Sequence, residues 1–298
     1  MAKISRRKFL KYSLSSAGAI ATNSSDVFAV NDAHRLTEKI DQVILGKSGI
    51  QVSRLAWGTG THGWKFVSDQ TKLGTKGFID LAQHAFVSGI TFFDVADIYG
   101  SHTCLKEVLK HIPREKIVIM SKIWTRSNDW LEYKGAQAAL DRFRKEIGTD
   151  VIDIVLLHCQ VSPNWQTEFK KARDVLSKAK ADRIIQAHGV SCHSLDALKA
   201  AANSDWVDIL LSRINHSGAK MDDKPEKVMP LLKQAHDSGK GVLGMKIYGC
   251  GDLIEEEQRE TSLKYVLSSG NVDAMTIGFE NGGQIDDTIT RINRILKK

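Results

Sequence analysis

The chain has 298 residues, 42% of them hydrophobic and 26% charged, an ordinary globular composition. Its formal net charge is +7, yet no Lys/Arg run interleaved with aromatics suggests a nucleic-acid partner. Four cysteines, Cys104, Cys159, Cys192 and Cys250, are too few and too scattered for a disulfide framework, though an oxidising compartment would permit one bridge, with Cys159 and Cys192 the first pair to test.

In chain order, the first feature is "SRRKFLK" (residues 5–11), followed by the weakly apolar "YSLSSAGAIA" and a small-residue exit "VFA" ending at Ala29. Basic, apolar and small-residue segments in this order predict an export signal over residues 1–29. The paired Arg6 and Arg7 point to the twin-arginine export machinery and hence to the periplasm. The apolar run is too short for stable membrane insertion. The leader holds five cations against Asp26, so only +3 of the formal +7 remains on residues 30–298.

"VILGKSGIQV" (43–52) reads as a β-hairpin. After it, short apolar or β-branched runs recur: "RLAWGT", "ITFFDVA", "KIVIMSK", "VIDIVLLH", "AHGVSC", "VDILLSRI", "GVLGMKI" and "DAMTIG". Between them lie segments with helical spacing, such as Phe78, Leu81, Ala82 and Ala85, or Ile285, Ile289 and Ile292. Eight strands alternating with helices predict a parallel sheet with right-handed crossovers. Residues 30–298 suit a single (β/α)8 TIM barrel of ~250 residues, with the N-terminal hairpin capping its floor. An open doubly wound sheet is the alternative.

The first of these strands runs into "GTGTHG", Gly58 to Gly63, which fits the dinucleotide fingerprint G-x-G-x-x-G. A true fingerprint opens a helix and meets an acidic residue ~20 positions later. Here "WKFVSDQTKLGT" follows, and Asp94 comes 36 positions after Gly58. The Rossmann reading is therefore poor.

In a barrel the carboxyl ends of the strands build the site. Those ends carry Asp94 and Tyr99, Lys122, His158 and Ser191 in turn. A lysine closing an apolar run is costly unless paired or functional. Together the residues suit proton delivery to a developing alkoxide. Tyrosine, with a pKa near ~10, becomes a usable acid or base if an ammonium lowers that value and a carboxylate holds the ammonium. A histidine steers the carbonyl oxygen, and hydride must come from a nicotinamide.

With "GTG" (58–60), "FFDVADIYG" (92–100), "SK" (121–122), "LLH" (156–158) and "GVSCHS" (189–194), residues 42–297 resemble the aldo-keto reductase family. The resemblance implies an NAD(P)-dependent oxidoreductase that interconverts a small-molecule carbonyl and an alcohol. It implies Tyr99 as general acid/base, Lys122 and Asp94 tuning it, and His158 orienting the substrate. It also implies a cofactor, NADP or NAD, with Gly58 and Thr59 beside the nicotinamide ribose and Ser191 at the carboxamide, and with Asp94 and Cys192 among the cofactor-binding residues. Lys246, Gly249, Gly251 and Leu253 would lie at the pyrophosphate, and Gly278, Gln284, Asp287 and Thr288 at the adenosine. No metal is implied, because the mouth residues His62, His102, His158, Cys159, Cys192, His193 and His216 show no zinc-type spacing.

Several positions depart from the family pattern. Cys192 replaces an asparagine, Leu211 a glutamine and Met245 the tyrosine that stacks on the nicotinamide. Arg213, Asn215 or Lys246 would have to substitute. "GFENGG" places Glu280 where users of NADP carry Lys, Arg or Ser, unless Arg259 or Lys264 reaches round. Trp64, Trp124, Trp130 and Trp165 would form an aromatic wall for a sugar or an apolar carbonyl. Two other functions remain open: a nucleotide-binding sensor on the same barrel, and a Schiff-base aldolase using Lys122.

Overall fold

Residues 39–297 are described by a computed structural model; the leader expected over 1–29 and the first residues of the 30–298 domain lie outside them. The chain begins with the antiparallel hairpin β1 (Gln42–Ile44) and β2 (Gln51–Ser53), Val43 opposite Val52. Gly46 at its turn has φ 48°, and a Cβ there would sit 2.5 Å from the Gly239 carbonyl oxygen, so only glycine fits. Leu45, Ile50 and Val52 join the barrel's inner core and close its floor, as the sequence predicts.

Eight parallel strands follow: β3 (Leu55–Gly58), β4 (Phe92–Asp94), β5 (Val118–Trp124), β6 (Ile152–Gln160), β7 (Ile185–Cys192), β8 (Ile209–Arg213), β9 (Gly241–Met245) and β10 (Ala274–Gly278). β10 pairs with both β9 and β3, so the sheet closes into a (β/α)8 barrel with no edge. Outside it pack α1 (Gly74–Val87), α2 (Ser101–Val108), α3 (Ala136–Ile147), α4 (Trp165–Glu168), α5 (Lys170–Ala181), α6 (Leu195–Ala202), α7 (Pro225–Asp237), α8 (Glu256–Ser268) and α9 (Gly282–Leu296). No helix among the described residues is long and apolar enough to cross a membrane.

Strand alternation builds the core in two shells. Ala56, Phe92, Met120, Ile154, Leu156, Ala187, Ile209, Leu243 and Ala274 face inward and fill the barrel. Trp57, Phe93, Ile119, Val155, Val190, Val242 and Met275 face outward against the helices. One further step of two residues along each strand reaches the mouth layer, where Asp94, Lys122, His158, Ser191 and Thr276 break the apolar run while Leu211 and Met245 continue it.

Three helices escape the sequence pattern. α2 buries Ser101 and His102 beside Leu105 and Val108, and α8 buries Ser262 beside Leu263 and Val266. Buried hydroxyls and an imidazole break the apolar stripe by which a helix is read. α4 is a single turn.

Candidate active site

The mouth layer holds Gly58, Asp94, Lys122, His158, Ser191, Leu211, Met245 and Thr276, each one inward step of two residues beyond Ala56, Phe92, Met120, Leu156, Gly189, Ile209, Leu243 and Ala274 in turn. Lys122 is 1% exposed. Its Nζ is ion-paired with Asp94 Oδ1 and also donates to the Val95 carbonyl at 3.2 Å. Thr276 donates from its hydroxyl to Asp94 Oδ2 at 2.8 Å, so both carboxylate oxygens are held. A Cβ at Gly58 would come within 2.8 Å of that hydroxyl. Gly58 thus makes room for the threonine that fixes the carboxylate.

Tyr99 ends a 3-10 turn, Asp97–Tyr99, just beyond β4. Asp97 clasps this turn to β5: its carboxylate accepts from the Ile98 N–H at 2.8 Å and the Trp124 N–H at 3.1 Å. The ring of Tyr99 lies against the "GTGTHG" loop so closely that a Cβ at Gly60 or Gly63 would overlap it. Tyr99 Oη stands 3.3 Å from His158 Nε2, and Lys122 Nζ lies 5.0 Å from the ring centroid. Asp94, Tyr99, Lys122 and His158 therefore converge, as the sequence places them.

The electrostatics correct one expectation. The Tyr99 phenol is pushed well above its ordinary value, by burial first and then by the charges of Asp94 and Asp97. Burial and the Asp94 charge outweigh the Lys122 ammonium, which is itself ion-paired with Asp94. Burial, and after it the Lys122 charge, holds His158 well below the usual histidine range, so the imidazole is neutral. His158 Nδ1 is buried without a hydrogen-bond partner. A lone pair is cheaper to leave there than an N–H, which places the proton on Nε2, facing Tyr99.

Burial also lowers His188, and it brings His193 down to about 3 with help from the Arg213 charge. An unfolded histidine titrates near ~6.5. Below that pH the unfolded chain binds protons that the folded chain refuses, so stability must fall as pH falls. The thermal midpoint is expected to be level from pH ~8 to ~7 and to drop steadily below pH ~6.5, by up to ~1.4 kcal/mol per pH unit for each such histidine. A midpoint that rises on acidification, followed by scanning fluorimetry, would contradict neutral buried histidines.

A cavity of about 440 Å³ runs from this centre to β10 and α9. Of the residues expected at a cofactor, Gly58, Asp94, Lys246, Gly251, Gly278, Gln284, Asp287 and Thr288 line it, together with Leu211, Met245, Tyr248, Arg259 and Glu280. Five are placed differently. Thr59 is fully buried, its hydroxyl donating to the Asp94 carbonyl and meeting Ser101 Oγ at 2.9 Å. The Ser191 hydroxyl accepts the Cys159 N–H at 2.9 Å and does not reach the cavity wall. Cys192 follows Ser191 on the strand and so points outward, into the core beneath the helices. Gly249 and Leu253 brace their loop: Gly249 N–H donates to the Lys246 carbonyl at 2.9 Å and Leu253 N–H to the Tyr248 carbonyl at 3.2 Å.

The donor set fits a dinucleotide at its phosphates better than at its amide. Lys246 Nζ touches the Cys250 thiol at 3.3 Å and has no carboxylate within ion-pair distance among the described residues, which suits a pyrophosphate. Arg259 shares its charge with Asp287 at 3.4 Å. At the catalytic end Leu211 and Met245 offer a carboxamide no hydrogen bond. Asn215 does not substitute, since Ala219, Lys246, Ser217 and Gly218 take up its side chain.

The aromatic wall forms in part. Trp64 lies 5.3 Å from Trp124 and 4.8 Å from Trp130, Phe66 joins at 5.5 Å from Trp130, and Trp124 stands 5.6 Å from His158. Trp165 is instead fully buried 6.0 Å from Trp206, because α4 turns it into the core. The mouth histidines have separate partners: His62 pairs with Asp69, His102 with Glu146 and Ser121, and His193 with Arg213. All four cysteines are free thiols, so Cys159 and Cys192 are not bridged.

The Glycine max protein named "Probable aldo-keto reductase 1" is 28% identical over 255 residues, 76% of this chain and 66% of its own. The "NADH-specific methylglyoxal reductase" of Escherichia coli (strain K12) is 24% identical over 214 residues, 64% of this chain and 63% of its own. The chain thus spans just under two thirds of the length of these curated relatives. A Pseudomonas aeruginosa crystal structure assigned to the same family shares the fold with a TM-score of 0.73 at 22% identity, over 88% of this chain and 98% of that one. The model of the "Aldo/keto reductase family" matches residues 54–266. Spanning most of the chain, and taking in the strands that carry Asp94, Lys122 and His158, that match makes the chain a member of the aldo/keto reductase family.

Proposed function

We propose that the chain is an NAD(P)(H)-dependent oxidoreductase that interconverts a carbonyl and an alcohol, a sugar-derived or small 2-oxo compound among the candidates. One observation supports this most: a phenol and an ammonium held by a carboxylate line the 440 Å³ cavity, and a neutral imidazole stands 3.3 Å from the phenol oxygen. When bound, the nicotinamide supplies hydride. Lys246 and Arg259 would hold the phosphates, and Gln284, Asp287 and Thr288 the adenosine end.

The chain's own residues manage the proton. Tyr99 rests protonated, so it enters the reduction as a donor at Oη. An oxygen within reach of Oη is within reach of His158 Nε2, 3.3 Å away, which fixes the carbonyl by a second hydrogen bond. As negative charge gathers on that oxygen, the proton passes from Oη. Lys122, 5.0 Å from the ring centroid, then stabilises the phenolate left behind. In the oxidising direction the phenolate takes the proton back.

One observation favours a second reading, a nucleotide-binding sensor: Leu211 and Met245 give the amide end no donor. The test mixes protein loaded with NADH or NADPH with a panel of aldehydes and ketones and follows reduced-nicotinamide absorbance. Stoichiometric oxidation supports the enzyme; nucleotide that binds and never turns over supports the sensor. Glu280 lines the cavity beside Asp287, without an ion-pair partner among the described residues. It would repel a 2′-phosphate, so NADH is expected to bind at least ~10-fold tighter than NADPH. The E. coli relative, named as NADH-specific, agrees in direction. Preference for NADPH would overturn the role given to Glu280. We also read residues 1–29 as a twin-arginine-type leader that sends the protein to the periplasm, on the order of Arg6 and Arg7, the apolar run and the small-residue exit.

A further inference from the structure

We propose that a carboxylate subsite, formed by Arg126, His193 and Arg213 and flanked by Trp124, lies beside His158 and next to, not within, the lining of the 440 Å³ cavity, so that the substrates are carbonyl compounds carrying an acid group. The proposal deepens the oxidoreductase reading and rests on it for turnover, though not for binding.

The charge balance of the site carries the inference. Lys122 is neutralised by Asp94, and Arg213 by Asp222 at 2.9 Å. Lys246 faces the phosphate region of the cavity. Arg126 remains: among the described residues no carboxylate lies within ion-pair distance of it. Its Nη2 donates to the Cys159 carbonyl at 2.9 Å, and its guanidinium lies 5.4 Å from the Trp124 ring centroid. A guanidinium has five N–H donors, and a partly exposed one whose partners are only the carbonyl and the thiol of Cys159 keeps several of them available. Its charge is felt at both His158 and His193.

His193 adds a neutral donor. Its ring centroid is 6.3 Å from that of His158, and Arg213 Nη2 is hydrogen-bonded to its Nδ1. Because a guanidinium only donates, Nδ1 accepts and the ring proton sits on Nε2. The backbone is shaped for this corner as well. β6 is bulged between Leu157 and Gln160, and Cys159 adopts φ 59°, in the left-handed region. That conformation costs ~1–3 kcal/mol and persists where surrounding contacts impose it. Here it turns the Cys159 carbonyl to Arg126 while the Cys159 N–H meets Ser191. Arg213 Nε is buried without a partner, and so, on the acceptor side, is Asp222 Oδ2. The corner thus gathers two guanidinium groups and the His193 Nε2–H against one carboxylate, next to the imidazole that would orient a carbonyl, with Trp124 and Trp64 as an apolar flank.

The test compares 4-carboxybenzaldehyde with its methyl ester, a pair differing in charge at constant ring and aldehyde, in the wild type, Arg126→Met and Arg126→Lys. The wild type is expected to favour the acid by ~10-fold to ~100-fold in kcat/KM, through KM, the scale of a charge-assisted hydrogen-bonded contact. That ratio should collapse toward one in Arg126→Met and survive in part in Arg126→Lys. Benzoate, titrated by tryptophan fluorescence, gives a readout that needs no turnover, and Arg126→Met should weaken it by the same factor. Equal use of acid and ester by the wild type overturns the subsite, as does an acid preference or benzoate affinity that Arg126→Met leaves unchanged. If neither aldehyde is reduced, the oxidoreductase reading fails, and the benzoate titration alone decides the subsite.

Discussion

Tyr99→Phe is expected to lower carbonyl turnover by ~10²-fold to ~10⁴-fold, the scale of general acid catalysis, while nucleotide affinity stays within ~2-fold. The substitution removes one oxygen and leaves the ring in its seat. Its hydrogen-bond partner, His158 Nε2, loses a neighbour at 3.3 Å, a cost of about 1 kcal/mol to folding, so the variant should remain folded. Lys122→Met would be a poorer test. It strips the counter-ion from the buried Asp94, and breaking such a pair costs ~3–5 kcal/mol, so lost activity would be confounded with lost structure. The pairing also bears on the Schiff-base alternative. An aldolase lysine must be free and neutral to attack a carbonyl, whereas Lys122 is locked to Asp94 and to the Val95 carbonyl. A borohydride-trapped adduct on Lys122, or Tyr99→Phe with wild-type turnover, would remove Tyr99 from the mechanism and return that chemistry to consideration.

How far the site can be read in the sequence depends on which property a residue contributes. Asp94, Lys122 and His158 are legible because a charged or polar group ends an apolar strand, where only pairing or function makes it affordable. Strand rhythm likewise yields the barrel, its hairpin floor and six of the helices. Side-chain direction is less legible. Resemblance places Ser191 and Cys192 together at a nicotinamide, but neighbours on a strand face opposite ways, and Cys192 ends in the outer core. Thr276, whose hydroxyl holds Asp94 Oδ2, gives no signal in "DAMTIG" beyond being an inward position at the end of the last strand. Asp97, which ties the Tyr99 turn to β5, reads as an ordinary loop acid until its two backbone partners are seen. The sign of the Tyr99 shift was hidden for a different reason. Sequence shows that an ammonium is near, but not that burial and the Asp94 charge outweigh it. Such sums depend on distances, and distances are what the fold supplies.

The loop "GTGTHG" carries the second large effect. Gly60→Ala is expected to cost ~10² in turnover, with a stability loss held to the ~1–3 kcal/mol of overpacking. Gly60 does not have positive φ, so alanine suits its backbone. A Cβ there would overlap Tyr99 at Cδ2, Cε2 and Cζ, on the edge that carries the hydroxyl. The ring must swing away, Oη leaves its 3.3 Å contact with His158, and a shift of ~1 Å at a catalytic group is enough for a loss of this size. Gly63 faces the other edge of the ring, where a Cβ would meet Cδ1, and Gly58 gives room to Thr276. All three glycines of the pattern thus make room for Tyr99 or Thr276, none in the manner of a Rossmann fingerprint. A double-mutant cycle separates this account from a general loosening of the loop. If Gly60→Ala acts by displacing Oη, it should add almost nothing to Tyr99→Phe, because the displaced atom is already gone, and the two losses should be strongly non-additive. Losses that simply multiply would mean that Gly60 acts elsewhere in the cavity, and the seat of the tyrosine would not be what this loop provides.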